Sequence, residues 1–492
     1  MNAKSRKLYS ATQIRELDRA AMEGGITGRT LMQRAALAAW QALQRAQPKV
    51  KRVDVICGAG NNGGDGYEIA RLANGIGRDV RVWQVGDAPS AGDALAAREA
   101  WLKAGGTVQA LQLDSLFKAE VIVDALLGIG VSRELTGDWD AAVSMINHAR
   151  AQGAWVLAVD VPSGLDVTTG RILGNAVQAD MTVTFIGQKV GLYTGSGVDC
   201  AGEVVLDMLN IPAQTYDAIE PLARLQEASD VGVWLPKRSR NSHKGSYGHV
   251  LVVGGDSGMA GAALLSGQAA LRAGAGLVSL ATRGSHVAAL TAAQPELMCR
   301  RVETVDELTP MHERATVVAI GPGLGQSPWA RGLLARTLLL DLPLVIDADA
   351  LNLLAETTLK RDRWVLTPHP GEAARMLGVS TAEVQANRPA AVIELQRRYG
   401  GTIVLKGAGT LIQGQNKLSL CPYGNPGMAV GGMGDVLTGV IAAFIAQGLP
   451  LEQAANTGVL VHALAGNRAA EQGMRGLLPT DLLAGLRAIV NS

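Results

Sequence analysis

Short β-branched runs alternate with helical stretches along most of this chain, and no other feature constrains the fold as tightly. A strand that is apolar at nearly every position needs cover on both faces, and helices in parallel crossovers supply it. The runs at 53–57, 80–83, 121–124, 155–160 and 181–185 form one such series, and those at 249–253, 277–281, 316–320, 344–346, 364–366 and 402–405 form a second. Between them, from Ile211 to about Gly248, the alternation lapses into prolines, polar residues and a basic cluster of Lys237, Arg238, Arg240, His243 and Lys244. A chain of 492 residues exceeds one hydrophobic core, so two α/β domains are expected, 1–224 and 225–492, each with a mostly parallel sheet between helical layers.

Ser10 and Gln13 form a capping box that opens a helix to about residue 22, and a second helix is expected over 30–45. Three helical stretches, 434–447, 451–472 and 480–490, close the chain. The apolar stretch 436–446 is too short to span a bilayer and reads as a core helix. With 45 basic and 44 acidic residues there is no broad nucleic-acid footprint. Cys57, Cys200, Cys299 and Cys421 are scattered and form no metal-type pair. The expectation is a cytoplasmic protein in a reducing compartment, with small-molecule substrates and without nucleic-acid or membrane partners.

In the first half, the run at 53–57 leads into GAGNNGGDG, where Gly58, Gly60, Gly63, Gly64 and Gly66 read as a tight loop bringing peptide N–H groups to a phosphate. Asn61, Asn62 and Asp65 add polar groups without bulk. Two later strand ends carry acids: Asp124 before Gly128 and Gly130, and Asp160 before Pro162, Ser163 and Gly164. Asn62, Asp124 and Ser163 offer only hard oxygen donors, suited to an alkali or alkaline-earth cation. Asp160 is the candidate acid–base.

NNGGDG, VDALLG-x-G-x-SREL and DVPSGLD, in that order, resemble the NAD(P)H-hydrate epimerase family over about residues 8–215. The resemblance implies a Rossmann-like domain that interconverts the R and S forms of 6-hydroxylated NADH and NADPH. It also implies a potassium ion on Asn62, Asp124 and Ser163. The hydrated nucleotide would meet Asn61, Asn62, Gly63, Gly64 and Asp65, then Gly128, Ile129, Gly130, Val131, Ser132, Arg133 and Glu134, and Asp160. Gln33 and Ala36 depart from the family pattern, which has Glu and Gly there.

In the second half, NPGMAVGGMGD precedes an apolar helix. Gly431, Gly432 and Gly434 crowd a helix N-terminus, an anion hole favoured by the macrodipole, and Asp435 beside it can take a proton from an attacking hydroxyl. Upstream, GPGLG carries Gly323, and DADALN places Asp347 and Asp349 where Mg²⁺ or a sugar hydroxyl would sit. TPHPGE presents His369 and Glu372, and LKGAGT ends a strand with Lys406.

These motifs resemble the ribokinase-like superfamily, and together with HKGSYGHVLVVGG they are similar to its ADP-dependent NAD(P)H-hydrate dehydratase branch over about 226–490. The resemblance implies that Gly323, His369 and Asp435 meet the hydrate. Lys406, Gly407, Ala408, Gly409, Thr410 and Gly434 would hold ADP, the co-substrate implied by the fused form, with Mg²⁺ neutralising charge. The expected reaction dehydrates the S form at the expense of ADP, in a homo-oligomeric enzyme. The alternative is a ribokinase-like small-molecule kinase whose N-terminal half is a silent binding module.

Overall fold

Burial runs unbroken along the central strands, as a sheet covered on both faces requires, and alternate side chains enter opposite cores. In the strand Arg52–Cys57 of this computed structural model, Val53, Val55 and Cys57 join a core shared with the helices Ala11–Glu23, Gly28–Ala46 and Asn61–Gly75. Ile56 points the other way, into a core closed by the helix Asp138–Ala151. The structure describes residues 6–112, 120–131, 133–357, 359–415 and 417–492. Two compact units divide at Arg224 and Leu225.

In the first unit seven parallel strands lie in the order Val108–Ala110, Asp79–Gln84, Arg52–Cys57, Val121–Ala125, Trp155–Val159, Met181–Phe185 and Glu203–Asp207. Strand order reverses between Arg52–Cys57 and Val121–Ala125, and a Rossmann-like sheet binds ligands outside the carboxyl ends at such a point. Gly58–Asn62 and Leu126–Gly130 occupy that crevice.

In the second unit the order is Met298–Arg301, Leu277–Thr282, His249–Val253, Val317–Ile320, Leu344–Ile346, Trp364–Leu366 and Thr402–Leu405, all parallel, followed by the antiparallel strands Thr410–Gln413 and Leu418–Cys421. Val250, Val252, Val317, Ala319 and Val345 face one core, which the helices Ala260–Arg272, Met433–Ala446, Leu451–Ala469 and Pro479–Ile489 complete. Every residue from Val436 to Ala446 is buried, so the most apolar segment is the central helix of this unit. No described helix is long and apolar enough to cross a membrane.

One local expectation is corrected. The GNNGGDG segment is not a loop: the helix Asn61–Gly75 begins within it, and none of Gly58, Gly60, Gly63, Gly64 and Gly66 has a positive φ. The glycines serve close packing instead. A Cβ on Gly63 would overlap the carbonyl oxygen of Gly58, and one on Gly58 would overlap that of Leu126. On Gly66 it would meet Ala125 and Cys57. Bare backbone therefore lets this helix start directly against the strand ends.

Candidate active sites

In the first unit, a cavity of about 1000 Å³ lies at the reversal of strand order. Of the residues expected at the nucleotide, Asn61, Asn62, Asp65, Gly128, Ile129, Gly130, Val131, Arg133, Glu134 and Asp160 all line it. Gly63 and Gly64 do not; they lie inside the helix, and Gly64 backs onto Met32. Ser132 falls outside the described residues. Ile14, Arg15 and Asp18 of the first helix also line the cavity, and Arg15 donates to the carbonyl of Ile129 at 3.0 Å.

Asp160 ends its strand at φ 67°, a left-handed conformation that turns its side chain out of the ladder. The carboxylate accepts from the Lys189 ammonium at 2.5 Å and from the Phe185 N–H at 3.1 Å. Lys189 is fully buried and also donates to Thr184 Oγ1 and the Phe185 carbonyl. Asp18 and Asp65 face this pair. Burial pushes Asp18 up to about 6, with Lys189 opposing and Asp160 adding to the rise. Burial, then Asp160 and Asp18, raise Asp65 well above the carboxylate range. Asp160 bonded to Lys189, among acids whose proton affinity burial has raised, is an arrangement suited to acid–base work.

Beneath the cavity, Asp124 is buried. Its Oδ1 accepts from Ser163 Oγ at 2.6 Å and its Oδ2 from the Ser163 N–H at 2.8 Å. Burial lifts its pKa to about 6, and the bonds from Ser163 oppose that. The Asn62 Nδ2 is buried with no hydrogen-bond partner. Exchange of the amide oxygen and nitrogen puts an oxygen there, so the donor set fits a hard cation such as potassium. Among the described residues there is no cluster of three or more His, Cys, Asp or Glu side chains able to hold a metal.

In the second unit, the N-cap of the helix Met433–Ala446 is Gly432 at φ 97°, and no side chain caps it. Asp435 therefore does not serve as a cap. Burial, with Asp347 next, pushes its pKa up to about 7, against Lys406. Ser266 Oγ donates to its carbonyl at 2.6 Å, and His462, neutral because burial drives its pKa to about 4, donates from Nε2 to Met433 O at 3.0 Å. These bonds fix the helix terminus.

Lys406 reaches inward: its Nζ lies 2.7 Å from Asp347 Oδ1 and 3.8 Å from Glu372 Oε2. Thr438 Oγ1 donates to the other Asp347 oxygen at 2.8 Å. Burial raises Asp347, but Lys406 and these bonds outweigh it and hold the group ionised. Glu372 is raised by burial, against Lys406. A Cβ on Gly434 would stand 3.2 Å from Lys406 Nζ, so this position sits against the acid–lysine cluster. His369 caps the helix Pro370–Leu377, its Nδ1 accepting from the Gly371 N–H at 3.0 Å. Burial, then Lys406, lowers its pKa, so it is neutral with Nδ1 as acceptor. Gly323, at φ 58°, holds its carbonyl on the Asp256 N–H at 2.7 Å. Asp349 accepts from the Gly325 N–H at 2.8 Å and so shapes this loop.

Sequence reasoning missed Asp18, Lys189, Thr438 and His462. Asp18, Lys189 and His462 come from segments with no motif, and only burial of a polar group beside the expected residues marks them; Thr438 lies one turn past Asp435 on the helix that the GGMGD motif opens.

A family model described as NAD(P)H-hydrate dehydratase matches residues 250–487, and one described as YjeF-related protein N-terminus matches residues 28–191. The bifunctional NAD(P)H-hydrate repair enzyme Nnr of Coxiella burnetii is 50% identical over 98% of this chain and 99% of its own length. The enzyme of the same name from Escherichia coli is 44% identical over 98% and 94%. A ribokinase-like superfamily protein from Enterococcus faecalis superposes with a TM-score of 0.52 at 31% identity, covering 55% of this chain and 95% of that one. These matches span both halves, which a lone kinase fused to a silent module does not account for. The chain belongs to the family of bifunctional NAD(P)H-hydrate repair enzymes.

Proposed function

We propose that the unit Met1–Arg224 epimerises hydrated NADH and NADPH and that Leu225–Ser492 dehydrates the S form, with Asp160 and Asp435 as the respective proton-transfer residues. One observation carries the reading: Asp435 stands uncapped on the first turn of a buried helix, beside Lys406, Asp347 and Glu372, with a pKa near neutrality. A base poised there accepts a hydroxyl proton at ordinary pH.

The proton of the C6 hydroxyl passes to Asp435 while the oxygen attacks the β-phosphorus of ADP and AMP departs. The ring nitrogen then expels phosphate from C6, and loss of a C5 proton restores the dihydronicotinamide. Lys406 to Thr410, with Gly434, hold the nucleotide, and Gly323 and His369 flank the hydrate. A magnesium ion would supply charge neutralisation at the transferred group.

In the first unit, the acid cluster assists departure of the C6 hydroxyl as water, and water returns to the opposite face of the ring. Asp160, held in place by Lys189, takes the proton of that incoming water. Asn62, Asp124 and Ser163 would hold potassium, which would supply positive charge at the cavity floor. The four free cysteines accord with a cytoplasmic, reducing setting, and assembly as a homo-oligomer completes the reading.

The test supplies both epimers of hydrated NADH with ADP and follows the return of dihydronicotinamide absorbance. Complete conversion is expected. No recovery with either ADP or ATP overturns the proposal.

A further inference from the structure

Beneath the loop that follows the strand Thr402–Leu405 lies a guanidinium that is 1% exposed. It belongs to Arg388, the first residue of the helix Arg388–Tyr399. Its Nη2 donates to the carbonyl oxygens of Leu405 at 3.3 Å, Lys406 at 3.3 Å and Gly409 at 3.4 Å. Its Nη1 reaches Gln385 Oε1 at 2.9 Å and the Lys406 carbonyl at 3.4 Å. Three of these oxygens belong to one turn of backbone, so a single rigid fork gathers the turn from below.

The glycines of this turn follow from that arrangement. Gly407, at φ 134°, would place a Cβ 2.9 Å from Arg388 Nη1, and Gly409 stands at φ 63°. Each needs a backbone that side chains disfavour, and the first also needs the space that the guanidinium fills. Burial pushes the Arg388 pKa down to about 10, which leaves it charged at neutral pH. An apolar side chain fills such a volume without desolvating a cation, so packing alone does not explain an arginine here.

We propose that Arg388 is a positioning residue for the nucleotide: it fixes the shape of 406–410 and sets a permanent positive charge under the phosphates of ADP. The inference rests on the reading of 406–410 as the nucleotide loop. Lys406 couples the loop to the reacting centre. Its N–H donates to Pro368 O at 2.9 Å, its carbonyl meets Arg388, and its ammonium meets Asp347. The fork acts on the loop's backbone, whereas Asp347 fixes the lysine head, so loss of the fork weakens nucleotide binding more than it alters the acid cluster.

The experiment compares the full-length enzyme with Arg388→Gln and Arg388→Lys. It measures KM for ADP, KM for the S-hydrate, kcat, and hydrogen exchange of 406–410 with and without ADP. In Arg388→Gln, KM for ADP is expected to rise about tenfold or more, the order expected for losing a charge-assisted set of bonds. KM for the hydrate and kcat stay within about twofold, and exchange in 406–410 accelerates in the absence of nucleotide. Arg388→Lys keeps the charge but not the fork, and is expected to lose roughly fivefold in ADP affinity. If Arg388→Gln does not fold, Arg388→Lys decides the question. Wild-type affinity for ADP in either folded variant overturns the role of Arg388. Failure of ADP to protect 406–410 in the wild-type enzyme overturns the nucleotide reading of the loop itself, whatever the variants do.

Discussion

The substitution Asp435→Asn keeps the size of the side chain and removes its charge, so it separates catalysis from stability at one atom pair. The pKa of Asp435 rises from 3.8 to about 7, through burial first and Asp347 second. A carboxyl whose pKa is higher folded than unfolded holds its proton more tightly in the native state. Its contribution is fully present below the unfolded value and is lost as pH rises through about 7. At about 1.36 kcal/mol per unit the shift corresponds to at most roughly 4 kcal/mol, and solvent at the half-buried carboxyl brings the expected penalty to about 2 kcal/mol. Asn carries no such penalty. At about pH 8 the variant should therefore melt roughly 5 °C higher than the parent, and at about pH 4 the two should coincide. Turnover moves the opposite way: loss of the base should lower kcat for ADP-driven dehydration by about 10² to 10⁴. Parent turnover should itself rise with pH through about 7 as the base ionises. Calorimetry of the full chain across pH, with absorbance recovery on purified S-hydrate, measures both. Turnover within about tenfold of the parent would refute Asp435 as base. Identical melting at every pH would refute the buried-charge penalty.

Three other substitutions address the first unit. Asp160→Asn should leave ADP-driven dehydration intact while a mixture of epimers converts rapidly only as far as its S fraction; full rapid conversion would remove Asp160 from the mechanism. Lys189→Met strands the Asp160 carboxylate beside Asp18 and Asp65, and urea unfolding should show a loss of about 3–5 kcal/mol. Ser163→Ala removes the hydroxyl that donates to Asp124 Oδ1 and accepts from the Leu127 N–H, and the potassium concentration giving half-maximal epimerisation should rise about tenfold or more. An unchanged potassium dependence would detach Ser163 from the ion.

Several features were legible because the chemistry that makes them is local. The strands Met181–Phe185, His249–Val253 and Leu344–Ile346 coincide with the apolar and β-branched runs, since parallel strands covered on both faces are built mainly from such residues. Edge strands escaped notice: Glu203–Asp207 and Met298–Arg301 are partly exposed and mix charges with apolar residues. Gly58 to Gly66 was misjudged for a different reason. Glycine count signals a loop, but the choice between loop and helix lay with Leu126, Met32 and Ala125, which pack on the segment from far along the chain. The acids at strand ends could be found from their motifs. Lys189 could not, because only the fold shows that an ordinary lysine is fully buried against Asp160.

The central helix Met433–Ala446 gives the dehydration site an architectural inequality. Its floor, Gly434 and Asp435, is welded to the least adjustable element of the unit, where any shift must be shared by neighbours on every side. Of the walls, Gly323 and His369 sit on loops and caps that can change without disturbing that helix, whereas the turn at 406–410 is held from below by Arg388. Lineages that drift toward other nucleotides or other hydroxylated substrates would then do so by remodelling the rim, while Asp435, the proposed proton acceptor, stays where the core has set it.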